Sequence, residues 1–163
     1  SLSSNLAPIM AVTLAPTRRR RLVGQLRRAQ RTLDTWMNSL TGSIFLGKTA
    51  SDVVPPADRS VIQLMHDVRT AVHRRLAELE AEQSGTPLPH GEVRSKHAGV
   101  AKRTERHRSM MRLYLRACRC CGKALGVAFK VAAAVADVVS VRLLYAAVRA
   151  FEKQLWLLDP RMA

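Results

Sequence analysis

The sequence predicts an all-α protein: about four helices in a bundle or helical-hairpin arrangement, with an extended N-terminal arm and strongly basic outer faces. Three observations carry this. Apolar residues recur four and three apart through three long segments, the period of a helix with one buried stripe. Aromatic content is only 4%, and Ala, Leu, Val and Arg dominate, which suits helices better than sheets. The strongest turn signals, Pro55-Pro56 and Ser84 to Gly91, fall between the periodic segments. At 163 residues and 47% apolar content, the chain has room for one domain with a real core.

Residues 1–16 carry no charge and two prolines without a clean period, so they predict an extended arm. The first helix is expected over about 18–41. Leu22, Leu26, Ala29, Leu33, Trp36 and Leu40 form its stripe, with Arg20, Arg21, Arg27, Arg28 and Arg31 mainly off it. Gly42 suits a left-handed C-terminal residue, so the helix should stop there. Residues 42–57 read as a connector closed by the two prolines.

The second helix is expected over about 57–83, completing a hairpin that spans 17–83. Val61, Met65, Val68, Val72, Leu76 and Leu79 form its stripe. Its tail, Ala77 to Gln83, is acidic, the wrong sign for the C-terminal end of a helix dipole. That predicts a basic neighbour, with the Arg-rich first helix the natural candidate. Residues 84–93 then form a loop, and 94–163 hold a basic helix and a long C-terminal one.

In the basic helix, Val100, Thr104, His107, Met111, Tyr114, Cys118 and Cys121 alternate four and three apart. Gly122 and Gly126 predict a kink or break. A last helix is expected from about Leu125 to Leu158, ahead of Pro160, with a seam of Ala128, Ala132, Val135, Val139, Leu143, Ala146 and Ala150.

Charge is distributed very unevenly. Residues 17–33 hold seven Arg and no acid, and residues 94–123 hold ten Lys or Arg against Glu105 alone. These segments sum to +16, against a net charge of +15 for the whole chain. Two dense basic segments in a small protein are an electrostatic footprint of phosphate binding, since each neutralised phosphate releases a condensed counterion. Arg outnumbers Lys, and its planar fork grips phosphate at two points and stacks on bases. The residues expected to contact RNA are Arg18, Arg19, Arg20, Arg21, Arg27, Arg28, Arg31, Lys102, Arg103, Arg106, Arg108, Arg112, Arg116 and Arg119. No helix-turn-helix or aromatic-studded sheet signature accompanies them, so backbone and shape, not base sequence, should be recognised.

Catalytic motifs are weaker. Gly42 to Thr49 (GSIFLGKT) matches the phosphate-loop pattern G-x-x-x-x-G-K-T residue for residue. That loop requires a strand before it and a helix after it, whereas here a helical period precedes and two prolines follow. Bulky Ile44, Phe45 and Leu46 also occupy positions where backbone must wrap a ligand. The match therefore reads as chance, and Phe45 and Leu46 as plugs for the bundle end. Without alternating strands and helices, the stretch Val131 to Asp137 has no parallel sheet in which to act as an acidic strand.

Cys118 and Cys121 share a helix face, and nearby Arg116, Arg119 and Lys123 would favour thiolate. Zinc needs four ligands and the chain has no second Cys pair. Buried thiols on a packing seam are the expected role, with a metal site completed by a partner chain as the other reading. Three clustered cysteines point to a reducing compartment rather than a disulfide framework. His66, His73, His90, His97 and His107 are scattered, with His97 and His107 placed among cations for phosphate contact. No catalytic residue, metal ligand or cofactor is expected.

The stretch Ala124 to Val148 is interrupted by Lys130, Asp137 and Arg142, so no transmembrane segment is predicted. No acid precedes Asp34, and Ser, Arg and apolar residues there have the composition of an organellar transit peptide. This predicts a mitochondrial, matrix-side location, for either a matured product that keeps part of that composition or a fragment of a longer chain.

Residues 94–123, with their run KRTERHRSMMRLYLR, resemble short helical basic ribosomal proteins in composition. The expectation is a non-enzymatic structural subunit of a large ribonucleoprotein, most simply a mitochondrial ribosomal protein. Its partners would be rRNA or other structured RNA and neighbouring protein subunits. The alternative is an accessory structural subunit of a mitochondrial inner-membrane complex, a respiratory enzyme or the ATP synthase. There the basic faces would meet acidic lipids at the membrane surface or acidic partner subunits. A basic viral or chromatin-type packing protein is a third class.

Overall fold

The apolar stripes drive the assembly, because each fully buried Leu or Val contributes about 1.5–3 kcal/mol. A computed structural model describes residues 14–45, 56–84 and 103–159, in four helices packed against one another with no strand among the described residues. They are α1 (Pro16–Phe45), α2 (Pro56–Ser84), α3 (Arg103–Ala134) and α4 (Val138–Leu158). Pro16 and Pro56 open α1 and α2, where a missing N–H costs nothing. Residues 1–13 of the expected arm, most of the 42–57 connector and residues 85–93 of the expected loop lie outside the described residues.

Helix α1 packs on α2 and α3, α4 packs on α3 and α2, and α2 only grazes α3. The four therefore form a square in which α1 and α4 are diagonal. The stripes of α1 and α2 are buried as their spacing predicts, with Trp36 half-buried at the rim. Tyr114, Ala117, Cys118, Cys121, Leu125 and Ala128 bring α3 into the same core.

The acidic tail of α2 meets the basic neighbour that its sign predicts. Arg27 pairs with Glu80, and Arg19 lies 3.8 Å from Glu82. Further along, Gln30 meets His73 at 2.7 Å, and Arg69 lies 2.6 Å from Asp34. Rising numbers on α1 match falling numbers on α2, so the hairpin is antiparallel and keyed in register by its polar rim. Each surface pair is worth only about 0–1 kcal/mol, and the seam beneath carries most of the stability.

Two boundaries differ from expectation. Helix α1 continues through Gly42 to Phe45. More consequentially, α3 runs through both Gly122 and Gly126 and ends only at Ala134. A helical glycine can serve close packing instead of termination, and a Cβ on Gly122 would stand 3.6 Å from that of Phe151 in α4.

The actual break uses no glycine. Ala136 adopts a φ of 58°, the left-handed conformation normally left to Gly or Asn. Asp137 N–H donates to Ala132 C=O at 3.0 Å and Ala136 N–H to Ala133 C=O at 3.1 Å, closing a Schellman motif. Asp137 then becomes the N-cap residue of α4, its carbonyl accepting from Val141 N–H at 2.9 Å. The non-helical residues shift the helical phase. The buried residues of α4 are accordingly Ser140, Leu144, Ala147 and Phe151. The expected continuation through Val139, Leu143, Ala146 and Ala150 lies off that line, with Val139 and Ala146 exposed.

A buried polar cluster locks this turn to α2. Arg75, 8% exposed, donates from Nη2 to both carboxylate oxygens of Asp137, itself 8% exposed. Its Nε donates to Ser140 Oγ at 3.0 Å and its Nη1 to Glu78 Oε2 at 2.8 Å. Ser140 Oγ in turn donates to Asp137. Burial works against the Arg75 charge, but the hydrogen bonds and negative charges of Glu78 and Asp137 outweigh it and raise its pKa.

Candidate nucleic-acid interface

The packing of α1 against α3 puts the two arginine-rich helices side by side. Helix α1 carries seven Arg and one Asp, and α3 carries eight Lys or Arg and one Glu. Helix α2, diagonal to α3, carries four Arg and five acids. Burial of one apolar face forces the cations of each helix outward, since a charged head must stay in water or find a partner.

On α1 the arginines divide between two edges. Arg20, Arg27 and Arg31, spaced seven and four apart, lie toward α2, where Arg27 is held by Glu80. Arg18, Arg21 and Arg28 lie toward Trp36 and α3; all three are exposed and make no ion pair among the described residues. Arg19 stands apart from its neighbours. It is 7% exposed, donates from Nη2 to Leu14 C=O at 3.0 Å and faces Glu82. Its cation ties the start of α1 to α2 and has little surface to present to a ligand.

On α3, Arg112, Arg116, Arg119, Lys123 and Lys130 are all exposed and spaced four, three, four and seven apart. That spacing makes one outward stripe, about 27 Å long at 1.5 Å per residue. No acidic residue occurs between Met110 and Ala134. Lys123 and Lys130 extend the stripe beyond the expected contacts, and the four-and-three spacing that finds apolar faces would have found them. Arg103, Arg106 and Arg108 fall within α3, but their side chains, like Lys102 as a whole, lie outside the described residues.

One contact joins the two surfaces. The guanidinium of Arg116 sits over the Trp36 ring, 5.8 Å from its centroid. A cation over an indole face is held by the ring quadrupole. Trp36, half-buried, thus meets an exposed cation at the seam between α1 and α3. The outcome is a shared polycationic edge: Arg18, Arg21 and Arg28 from α1, Arg116 at the join, and the α3 stripe beyond.

No protein-family model matches the chain, and no curated protein matches its sequence. The reading of this edge therefore rests on its geometry and charge.

The other candidate motifs resolve differently. Cys118 and Cys121 are fully buried on the α3 seam, and burial pushes both thiols up to about 12. Nearby cations do not compensate, because they point outward from the opposite face of the helix. Cys120 is exposed. No group of three or more His, Cys, Asp or Glu is arranged to hold a metal ion among the described residues. Residues Gly42 to Phe45 of the phosphate-loop match are helical, and Leu46 to Thr49 lie outside the described residues. His73 is engaged by Gln30 and His66 is exposed on α2; His90, His97 and the His107 side chain lie outside the described residues.

Proposed function

We propose that the chain is a non-enzymatic structural subunit of a large ribonucleoprotein, most simply a mitochondrial ribosomal protein that binds the rRNA backbone. The observation that carries this reading is the joined cationic edge of α1 and α3, fixed at its seam by Arg116 and Trp36. A row of outward arginines and lysines on one helix suits the regularly spaced phosphates of structured RNA, and it supplies no base-reading pattern. The composition ahead of Asp34 supports a matrix location. The outer side of α2 remains to dock against neighbouring subunits.

The test is sucrose-gradient sedimentation of tagged protein from mitochondrial lysate in mild detergent, with and without RNase. Co-migration with a ribosomal particle that collapses after RNase treatment supports the reading. Migration with an RNase-resistant complex refutes it and moves the chain to the inner-membrane class, with the same arginines facing lipid or protein.

A further inference from the structure

Five of the six large apolar side chains left exposed among the described residues belong to α4: Val138, Val139, Tyr145, Trp156 and Leu157, at 53–60% exposure. The RNA reading gives them no role, because aliphatic side chains have nothing to offer phosphate. Phe129 of α3 and Tyr145 stand 6.2 Å apart, which places Tyr145 on the edge of α4 nearest α3. Val138 and Trp156, seven residues before and eleven after, share that edge by helical period. Val139, Ala146 and Leu157 line the other edge. Arg142, Arg149 and Lys153 are exposed along the crest between them, with Glu152 the only acid and itself paired to Arg149 at 3.2 Å.

We infer that the outer face of α4 lies on an anionic lipid surface, with its three crest cations on the headgroup phosphates and the aromatic and aliphatic side chains of both flanks at the boundary between headgroups and acyl chains. The charge selects this occupant. A second copy would bring another net +15 against the first. An anionic bilayer complements the crest cations. Trp and Tyr rings, apolar in body and polar at one end, favour the membrane–water boundary. Helix α4 would lie in the plane of the surface, since no described helix is long and apolar enough to cross a membrane. The inference does not depend on RNA binding, which uses different residues of α1 and α3.

The full chain carrying Trp36→Phe makes Trp156 the sole tryptophan reporter. It is mixed, without RNA, with phosphatidylglycerol–phosphatidylcholine vesicles and separately with pure phosphatidylcholine vesicles. The expected result is a blue shift of Trp156 emission, and quenching by acyl-brominated lipid, on the anionic vesicles only. In a chain with native Trp36, W156S combined with L157S should lower vesicle partitioning at least tenfold and leave affinity for a structured RNA unchanged. Both residues are exposed, so circular dichroism should show an intact fold. Co-sedimentation with vesicles while Trp156 emission stays unshifted and unquenched would overturn the inference, because the basic faces alone would then hold the lipid. Equal shifts on neutral vesicles, or a shift with polyglutamate and none with vesicles, would overturn it too.

Discussion

Arg75 on α2 and Asp137 in the α3–α4 turn, 62 residues apart, meet through one nitrogen that donates to both carboxylate oxygens at 3.0 and 2.9 Å. Both side chains are almost fully buried, and Ser140 and Glu78 accept from Nε and Nη1 of the guanidinium. Removing the negative charge leaves a desolvated cation at the corner where three helices meet. Asp137→Asn, which keeps the shape, should cost about 3 kcal/mol in urea unfolding. That is the low end for a broken buried pair, because Glu78 keeps hold of Nη1. A drop under about 1 kcal/mol would show that the pair adds little to stability.

Ala136 occupies left-handed backbone, where its Cβ crowds the adjacent carbonyl. Ala136→Gly should raise stability by about 1 kcal/mol, seen as a higher Tm, even though glycine usually weakens helical proteins. A lower Tm would mean that the turn does not sit in this conformation in solution.

Gly126 lies inside α3 with nothing within 4 Å of the position a Cβ would take. Gly126→Ala should therefore stabilise by about 0.8–1 kcal/mol. Gly122→Ala should be tolerated, since 3.6 Å to Phe151 Cβ is an ordinary van der Waals separation. Gly122→Leu should instead destabilise by about 1–3 kcal/mol through overpacking. Equal effects of Ala and Leu at Gly122 would mean that α3 and α4 do not approach closely there.

The thiols of Cys118 and Cys121 are raised by burial from an ordinary 9.0 to about 12, so the folded protein holds its protons where the unfolded chain releases them. Their stabilising effect is whole below pH 9 and disappears as pH rises through about 12. Stability should fall more steeply across that window in the native chain than in Cys118→Ala/Cys121→Ala. Iodoacetamide at neutral pH should label Cys120 alone until urea unfolds the protein. Rapid labelling of all three would place the other two at the surface.

Replacing Arg18, Arg21 and Arg28 with Gln should weaken binding to structured RNA and shallow its salt dependence. The log–log slope should fall by about 0.7–0.9 for each phosphate no longer neutralised. Arg19→Gln and Arg27→Gln should leave the slope unchanged and lower stability instead, because those cations hold Glu82 and Glu80. An unchanged slope in the triple variant would remove the α1 edge from the interface.

Periodicity carried the helices, and it did so because burial of one face is what forces a four-and-three pattern. The stripes of α1 and α2 could be read directly, and the acidic tail of α2 pointed to its partner by sign alone. What misled was glycine. Gly122 and Gly126 signal a break only where the backbone must leave the helix, and here α3 continues straight through both. The true break at Ala136 has no local signature, since a left-handed alanine is held there by tertiary contacts such as Arg75 to Asp137. From that point the expected seam of α4 runs out of phase, leaving Val139 and Ala146 exposed and Leu143 at the margin of the core. Among the arginines, sequence showed the density of charge but not its division. Arg19 and Arg27 are indistinguishable from Arg18 and Arg28 until α2 is in place.

The pairing of α2 acids with one edge of α1 gives the molecule an uneven electrical shape. Among the described residues positive charge concentrates along the α1–α3 edge, while α2 is nearly balanced, so charge is distributed unevenly about the bundle. A polyanion would exert a torque on such a body at a distance, turning the right edge forward before contact. Productive encounters would then be more frequent than random tumbling allows, and most so at low ionic strength, where the field reaches about 30 Å.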